Sequence, residues 1–344
     1  MSISPEDQVQ FLLRIQRLLR EGQFTATYKY ALLMALADLS VELGNDSGDA
    51  LDIDADKLAE KFIAYYWRQT VPFRGRVTLR QNKGALPVVI NELVRLRAQY
   101  GDHLTAAQRE PDTWRRVIAR VSGTVRQMPL VFLQNVGKGT SIPFLYDQPA
   151  TTAPRVIHLY PGVAYCFRTF HGLIIELVQS AWVRWVHEQN STLIGEQADL
   201  HTFLFGTSRA SLAGLREPLR EIQKNRCFYC AREMQSGDVD HFVPWFVYQV
   251  DLGHNFVLAH PDCNNAKRDR LAAEKHLSSW VQRNEEFGVG LSSEFDRLAF
   301  PHNLATTRQI ARWAYESTAN ANGLAWVMKQ ELVPLTGEWR RLLG

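Results

Sequence analysis

Two short-spaced pairs of metal-affine side chains, Cys227-Phe228-Tyr229-Cys230 and His260-Pro261-Asp262-Cys263, stand 30 residues apart and constrain this chain more than any other feature. A pair separated by two residues turns tightly enough to present both ligands to one ion, so two such pairs complete a closed tetrahedral Cys3His set. Zn2+ is the ion that such soft donors favour. A closed set is structural, holding together a segment with too little core to fold alone. His254 is the other histidine within reach, but the two-residue spacing favours His260 and leaves His254 at the surface. Cys166 stands apart, and clustering of the other three argues for metal rather than a disulfide framework.

The rest of the chain bounds the setting of that segment. Its 344 residues are enough for two or three domains, and 46% hydrophobic with 22% charged residues excludes wholesale disorder and a coiled-coil rod. The net charge of +3 is too small to indicate a nucleic-acid partner by itself. No run approaches the ~18 apolar residues of a membrane span. The opening MSISPEDQVQ lacks the apolar core of a secretory signal, so the expected setting is a reducing cytoplasm with no membrane partner.

Periodicity makes the first 205 residues a helical domain. Ser4-Pro5-Glu6-Asp7 is a helix start, followed by an apolar stripe from Val9 to Leu19 that stops near Gly22. A second helix from about 27 to 44 is apolar on most sides and should be central. Further helices are expected over 55–68, 87–99, 111–126, from beyond Pro161 to about 189, and over 193–204. Between them, PLVFLQ, IPFLY and RVIHLY, separated by Gly and Pro, predict a three-stranded meander near 128–161. The expected class is α+β, predominantly helical. It comprises a helical domain over 1–205, a metal-stabilised domain over 206–285, and a helical C-terminal extension over 286–344 with a helix near 306–318.

Between the two ligand pairs lies Asp240-His241-Phe242-Val243-Pro244. Asn255 follows 14 residues after His241, Asn264 directly follows Cys263, and Lys267 lies three residues further on. Over about 50 residues this pattern resembles the HNH endonuclease family, whose ββα-metal motif carries D-H on its first strand, N in the connection, and H or N on the helix. The resemblance implies hydrolysis of DNA phosphodiester bonds. Asp240 and Asn264 would hold a catalytic Mg2+ or Mn2+, Asn255 would brace the loop, and Asn264 would stand for the final His of the family pattern. Imidazole titrates near neutrality, so His241 is the candidate general base, and Asp240 is a hard oxygen ligand suited to Mg2+. Adjacent strand residues point to opposite faces, so serving one site together would require a distorted strand.

Candidate nucleic-acid contacts follow from charge. Lys267, and with it Arg268 and Arg270, lies on the motif helix. Arg209, Arg216, Arg220, Lys224 and Arg226 make residues 207–226 locally basic, and a basic helix there would meet phosphates. The arginines of 109–126 are read as a solvated face, and Trp67, Trp182, Trp185, Trp313 and Trp326 as core. Thr27-Tyr28-Lys29-Tyr30 and the loop Phe73-Arg74-Gly75-Arg76 are further polar-aromatic spots. DNA is the expected partner, with a protein partner or a second copy engaged through the N-terminal helices. Coupling of a small cutter to a large domain suggests bacterial anti-phage defence or restriction. Two alternatives remain: an HNH subunit that cuts only inside a partner-gated complex, and a zinc-stabilised nucleic-acid binder that does not cut.

Overall fold

The structure is a computed structural model that describes residues 3–75, 77–84, 87–137, 139–193, 197–206 and 209–344. It is predominantly helical with small antiparallel sheets, and it divides into two compact units, Met1–Thr207 and Ser208–Gly344. Among the described residues no helix is long and apolar enough to cross a membrane.

The first unit contains α1 (Pro5–Glu21), α2 (Tyr28–Leu43), β1 (Leu51–Asp54), α3 (Ala55–Trp67), α4 (Val88–Tyr100), α5 (Leu104–Gln108), α6 (Pro111–Gln127), α7 (Pro129–Phe132), β2 (Asn135–Val136), β3 (Thr140–Ser141), β4 (Val156–Leu159), α8 (Val163–Thr169), α9 (His171–Gln189) and α10 (Gln197–Phe205). The Ser4 hydroxyl caps α1 by accepting from the Asp7 N–H, as the opening residues predict. The α2 helix is buried from Tyr28 to Val41 and is the centre of the unit, packed against α3, α8 and α9. Its buried acid, Asp38, meets His171 at 2.8 Å and accepts from the Tyr65 hydroxyl at 2.6 Å. Arg168 of α8 satisfies the C-terminal carbonyls of α2, donating to Val41 and Gly44 at 3.1 Å each. The span beyond Pro161 is two helices rather than one, because the chain leaves helical geometry at Phe170 (φ −110°, ψ 21°).

The expected meander over 128–161 does not form. Pro129 opens a single helical turn, since a short apolar run such as PLVF carries no periodicity to separate strand from buried helix. IPFLY meets RVIHLY only at an isolated bridge, Tyr146 opposite Leu159, and the buried Gln134 side chain takes further backbone groups: its Oε1 accepts from the Phe144 and Leu145 N–H groups, and its Nε2 donates to the Tyr146 carbonyl. RVIHLY does supply a strand, β4, but it pairs with β1 some hundred residues earlier, Ile53 opposite Ile157. Residues 51–54 alternate Leu, Asp, Ile, Asp, a strand signal too short to stand out beside the helices around it.

The arginines of α6 are occupied locally, Arg115 on Asp112, Arg120 on Glu92 and Arg126 on the Ala153 carbonyl, so this face is a solvated one. Trp67, Trp182, Trp185, Trp313 and Trp326 are all buried. The Thr27 and Tyr66 hydroxyls meet at 2.6 Å and the Tyr28 hydroxyl accepts from the Val89 N–H, so that spot belongs to the core. Arg76 lies outside the described residues.

The second unit contains α11 (Arg216–Ile222), β5 (Asp238–His241), β6 (Phe256–Ala259), α12 (Pro261–Lys267), α13 (Glu274–Arg297), α14 (Leu304–Asn320), β7 (Leu324–Met328), β8 (Glu331–Pro334) and α15 (Glu338–Leu343). The expected boundary at 285 falls inside α13, and the C-terminal extension includes the β7–β8 hairpin. The physical reason is core size, because a two-stranded hairpin with one short helix cannot bury enough surface alone. Trp280 of α13 stacks on Phe242 at 5.0 Å, Arg283 donates to the His254 and Phe256 carbonyls, and Trp326 of β7 exchanges backbone bonds with Leu271 and Ala273.

His254 is not a surface residue. It is fully buried, with Nε2 3.1 Å from the Gly288 carbonyl, and burial lowers its pKa to about 4. Below pH 6.5 the unfolded chain binds a proton that the folded one refuses, so this stability is present above pH 6.5 and fades toward pH 4. The expected loss is about 3 kcal/mol in urea unfolding between pH 7 and pH 4. His254→Gln should remove that part of the pH dependence.

Candidate metal centre and active site

The first knuckle closes through two backbone bonds, Cys227 N–H to the Arg232 carbonyl and Ala231 N–H to the Cys227 carbonyl, both 2.9 Å. Ala231 takes φ +57° to turn the chain, a left-handed conformation costly for any residue with a Cβ. The second pair begins where β6 ends. His260 precedes α12, Pro261 occupies its first position, and the His260 N–H points at Cys227 Sγ, 3.3 Å away.

These two turns bring Cys227, Cys230, His260 and Cys263 together with their ligand atoms within 4.8 Å of one another. His260 Nδ1 faces Cys230 Sγ at 3.3 Å, while Nε2–H donates to the Glu233 carbonyl at 3.0 Å. That outer bond fixes the tautomer and leaves Nδ1 as the ligand. Burial works against the Cys230 thiolate, but backbone and side-chain donors of Arg232 bring its pKa down to about 6. Burial and the neighbouring sulfurs push Cys263 up to about 12. Three sulfurs this close need a cation among them to ionise together. The donor set fits Zn2+, and His254 takes no part in it.

Between the knuckles, β5 and β6 form a regular antiparallel pair, Asp240 opposite Val257 and His241 opposite Phe256, without a bulge. The strand is therefore not distorted, and the side chains of Asp240 and His241 leave it on opposite faces. Asp240 is buried, and its Oδ2 accepts from the Tyr229 hydroxyl at 2.5 Å and lies 3.0 Å from Lys267 Nζ. Lys267 also donates to the His241 carbonyl at 2.7 Å.

Lys267 is thus no phosphate ligand. It is fully buried and pins α12 to β5. Its position four residues past Cys263 aims it inward with that residue, on the face that packs against the strand. Removing one partner of a buried pair strands the other charge, so Lys267→Met should cost about 3–5 kcal/mol in urea unfolding. The double variant Lys267→Met, Asp240→Leu should recover most of it.

His241 Nε2–H donates to Asp251 Oδ1 at 2.7 Å, and the imidazole packs against Phe256 at 4.4 Å between ring centres. Asp251 holds the ring in the tautomer that leaves Nδ1 to accept a proton. Asn255 spends its amide on the loop after β5, accepting from the Val243 N–H at 2.8 Å and donating to the Val243 carbonyl at 2.9 Å. Asn264 is half-buried on α12, and its side-chain amide has no partner among the described residues. It lies three residues before Lys267 and so shares the face turned toward β5.

Of the expected phosphate contacts, Arg268 is exposed and bonded to its own helix at the Asn265 carbonyl. Arg220 is half-buried beside Glu217, Arg226 is exposed and donates to the Ala231 carbonyl, and Lys224 is exposed with no side-chain partner among the described residues. Of Arg209 only the backbone is described. Asp251 and Tyr229 were not foreseeable. Asp251 belongs to no fixed spacing from His241, and Tyr229 is hidden as a spacer inside C-x-x-C.

Fold and site together define a helical domain followed by a ββα unit with a Cys3His centre. Residues 8–202, more than half of the chain, match the family described as Domain of unknown function (DUF8808), and the chain belongs to that family. Comparison with curated proteins and with solved structures finds no match to either. The match falls within Met1–Thr207, and the Cys3His unit lies beyond it.

Proposed function

We propose that the chain is a metal-dependent HNH-type endonuclease that hydrolyses DNA phosphodiester bonds. The observation that carries the reading is the His241–Asp251 pair at 2.7 Å on a ββα unit whose helix presents an uncommitted Asn264 amide. Asp251 orients His241, whose Nδ1 takes the proton from the attacking water. Asn255 keeps the following loop fixed to β6, so the imidazole does not swing with it. Asp240 Oδ1 and Asn264 Oδ1, neither with a hydrogen-bond partner among the described residues, are the oxygens that would hold Mg2+ or Mn2+. Because Asp240 and His241 leave the regular strand on opposite faces, serving one phosphate together requires the end of β5 at His241 to twist when metal or substrate binds. When bound, that ion supplies charge stabilisation to the phosphoryl oxygens. Asn264→Ala should raise the Mg2+ concentration needed for half-maximal cleavage by about tenfold, and Asn264→Asp should restore it. An unchanged Mg2+ requirement in Asn264→Ala removes that residue from the site.

A second reading, nucleic-acid binding without cleavage, is favoured by one observation: Lys267 already neutralises the Asp240 carboxylate that the metal would use. Binding by wild type with no cleavage in Mg2+ or Mn2+ selects it. A defence or restriction role follows only from the nuclease reading. It fails if cells with and without the gene plate phage equally.

A further inference from the structure

Burial along the loop after β5 is uneven. Phe242, Val243, Pro244 and Tyr248 are buried, Trp245 is half-buried, and Phe246 is 68% exposed. No other phenylalanine or tryptophan among the described residues stands so far into solvent. The loop is nevertheless held at both ends. Asn255 clamps Val243 by two hydrogen bonds, and the Val247 and Tyr248 N–H groups both donate to the Pro244 carbonyl, at 2.9 and 3.2 Å. Beyond them the Tyr248 ring packs edge-on against Trp313 at 5.9 Å. A fixed turn therefore holds Phe246 outward beside the half-buried Trp245, whose ring lies 5.7 Å from the His241 ring.

A phenyl ring kept in water by a rigid turn is unfavourable until something apolar and flat covers it. Phosphates and sugars do not. A paired duplex offers edges and backbone, because its base faces are taken up by stacking with their neighbours. An unpaired base offers its face, and stacking of this kind needs few cations. Net charge adds little long-range attraction for a duplex. The chain carries only +3, Lys267 is committed to Asp240, and Arg220 and Arg226 lie beside Glu217 and Glu233. The exposed Arg216, Lys224, Arg268 and Arg270 would supply part of a phosphate contact set, and a stacked base would supply affinity that does not depend on cations.

We propose that Trp245 and Phe246 stack on an unpaired nucleobase beside the scissile phosphate, so that the substrate is single-stranded DNA or a duplex carrying an unpaired nucleotide. This rests on the nuclease reading above and names its substrate class.

The test uses the full chain with Ca2+ in place of Mg2+, so that zinc stays bound. It measures anisotropy of fluorescein-labelled oligo(dT), a fully paired duplex, and the same duplex with one mismatch. Wild type should bind oligo(dT) and the mismatched duplex more tightly than the paired one. Phe246→Ala should weaken oligo(dT) binding by roughly tenfold without changing paired-duplex binding, Phe246→Leu should not rescue it, and Phe246→Trp should. The mismatched arm separates a locally unpaired base from a free single strand as the source of that base. Trp245→Phe should abolish the fluorescence quenching that oligo(dT) causes in wild type. Equal oligo(dT) affinity in wild type and Phe246→Ala overturns the stacking proposal. If wild type still cleaves DNA, the nuclease reading stands without it; a chain that neither binds nor cuts nucleic acid overturns both.

Discussion

Removal of zinc is expected to unfold the Ser208–Gly344 unit. The hairpin β5–β6 and the seven-residue α12 have no stability of their own, and the Cys3His set joins the knuckle before β5 to the start of α12. Zinc binding to such sites is worth about 10–16 kcal/mol, more than the whole stability of most domains. Chelation by phenanthroline, or Cys263→Ser, should therefore abolish the cooperative unfolding of this unit. It should also expose Trp280, Trp326 and Trp339, all fully buried in the intact fold, as a red shift of fluorescence. Cys166→Ser is the control, since Cys166 lies in the other unit, and it should leave zinc content unchanged. Unaltered unfolding after complete zinc removal would show that the cluster is not structural.

On the proposed nuclease reading, loss of His241 is the second large effect. His241→Ala should lower kcat by about 10^2–10^4-fold with zinc content and unfolding unchanged, the usual contribution of a positioned base. Asp251 would act through His241, to which it is bonded at 2.7 Å. As a positioning residue it should cost less, with Asp251→Asn lowering kcat at least about tenfold. A positioning role also predicts that the pH profile of kcat moves in Asp251→Asn while KM stays put. A purely structural role would lower unfolding stability and leave the profile where it was. The two substitutions should not add, because each acts through the same imidazole.

Long helices were legible because their signals repeat. Ser4 before Pro5, the apolar stripe to Leu19, and the all-round apolar run over 28–41 each state the same answer several times. The meander was misread because PLVF, IPFLY and RVIHLY each offer a handful of apolar residues with no period, and their partners are set by distant residues. Gln134 and β1 decide those partners, and neither is marked locally.

At the site, metal-ligand spacing was legible because covalent geometry limits how two side chains three positions apart can meet one ion. The Cys3His cluster accordingly assembles as read. Burial was not legible. Lys267 and His254 read as surface residues because lysine and histidine are usually found there. Their partners, Asp240, the His241 carbonyl and the Gly288 carbonyl, are supplied by tertiary packing. Trp245 and Phe246 were overlooked for the converse reason. Aromatic residues in a chain with nine tryptophans are presumed to be core, and only the anchored turn shows Phe246 facing out with the half-buried Trp245 beside it.

The most direct measurement is cleavage of supercoiled plasmid and single-stranded circular DNA by wild type and His241→Ala of equal zinc content, with Mg2+, with Mn2+ and without added divalent metal. Metal-dependent cutting by wild type, lost in His241→Ala, is the result expected of a nuclease whose base is His241. Equal cutting by both proteins would contradict that assignment, and no cutting by either, with nucleic-acid binding retained, would make the chain a binder rather than an enzyme.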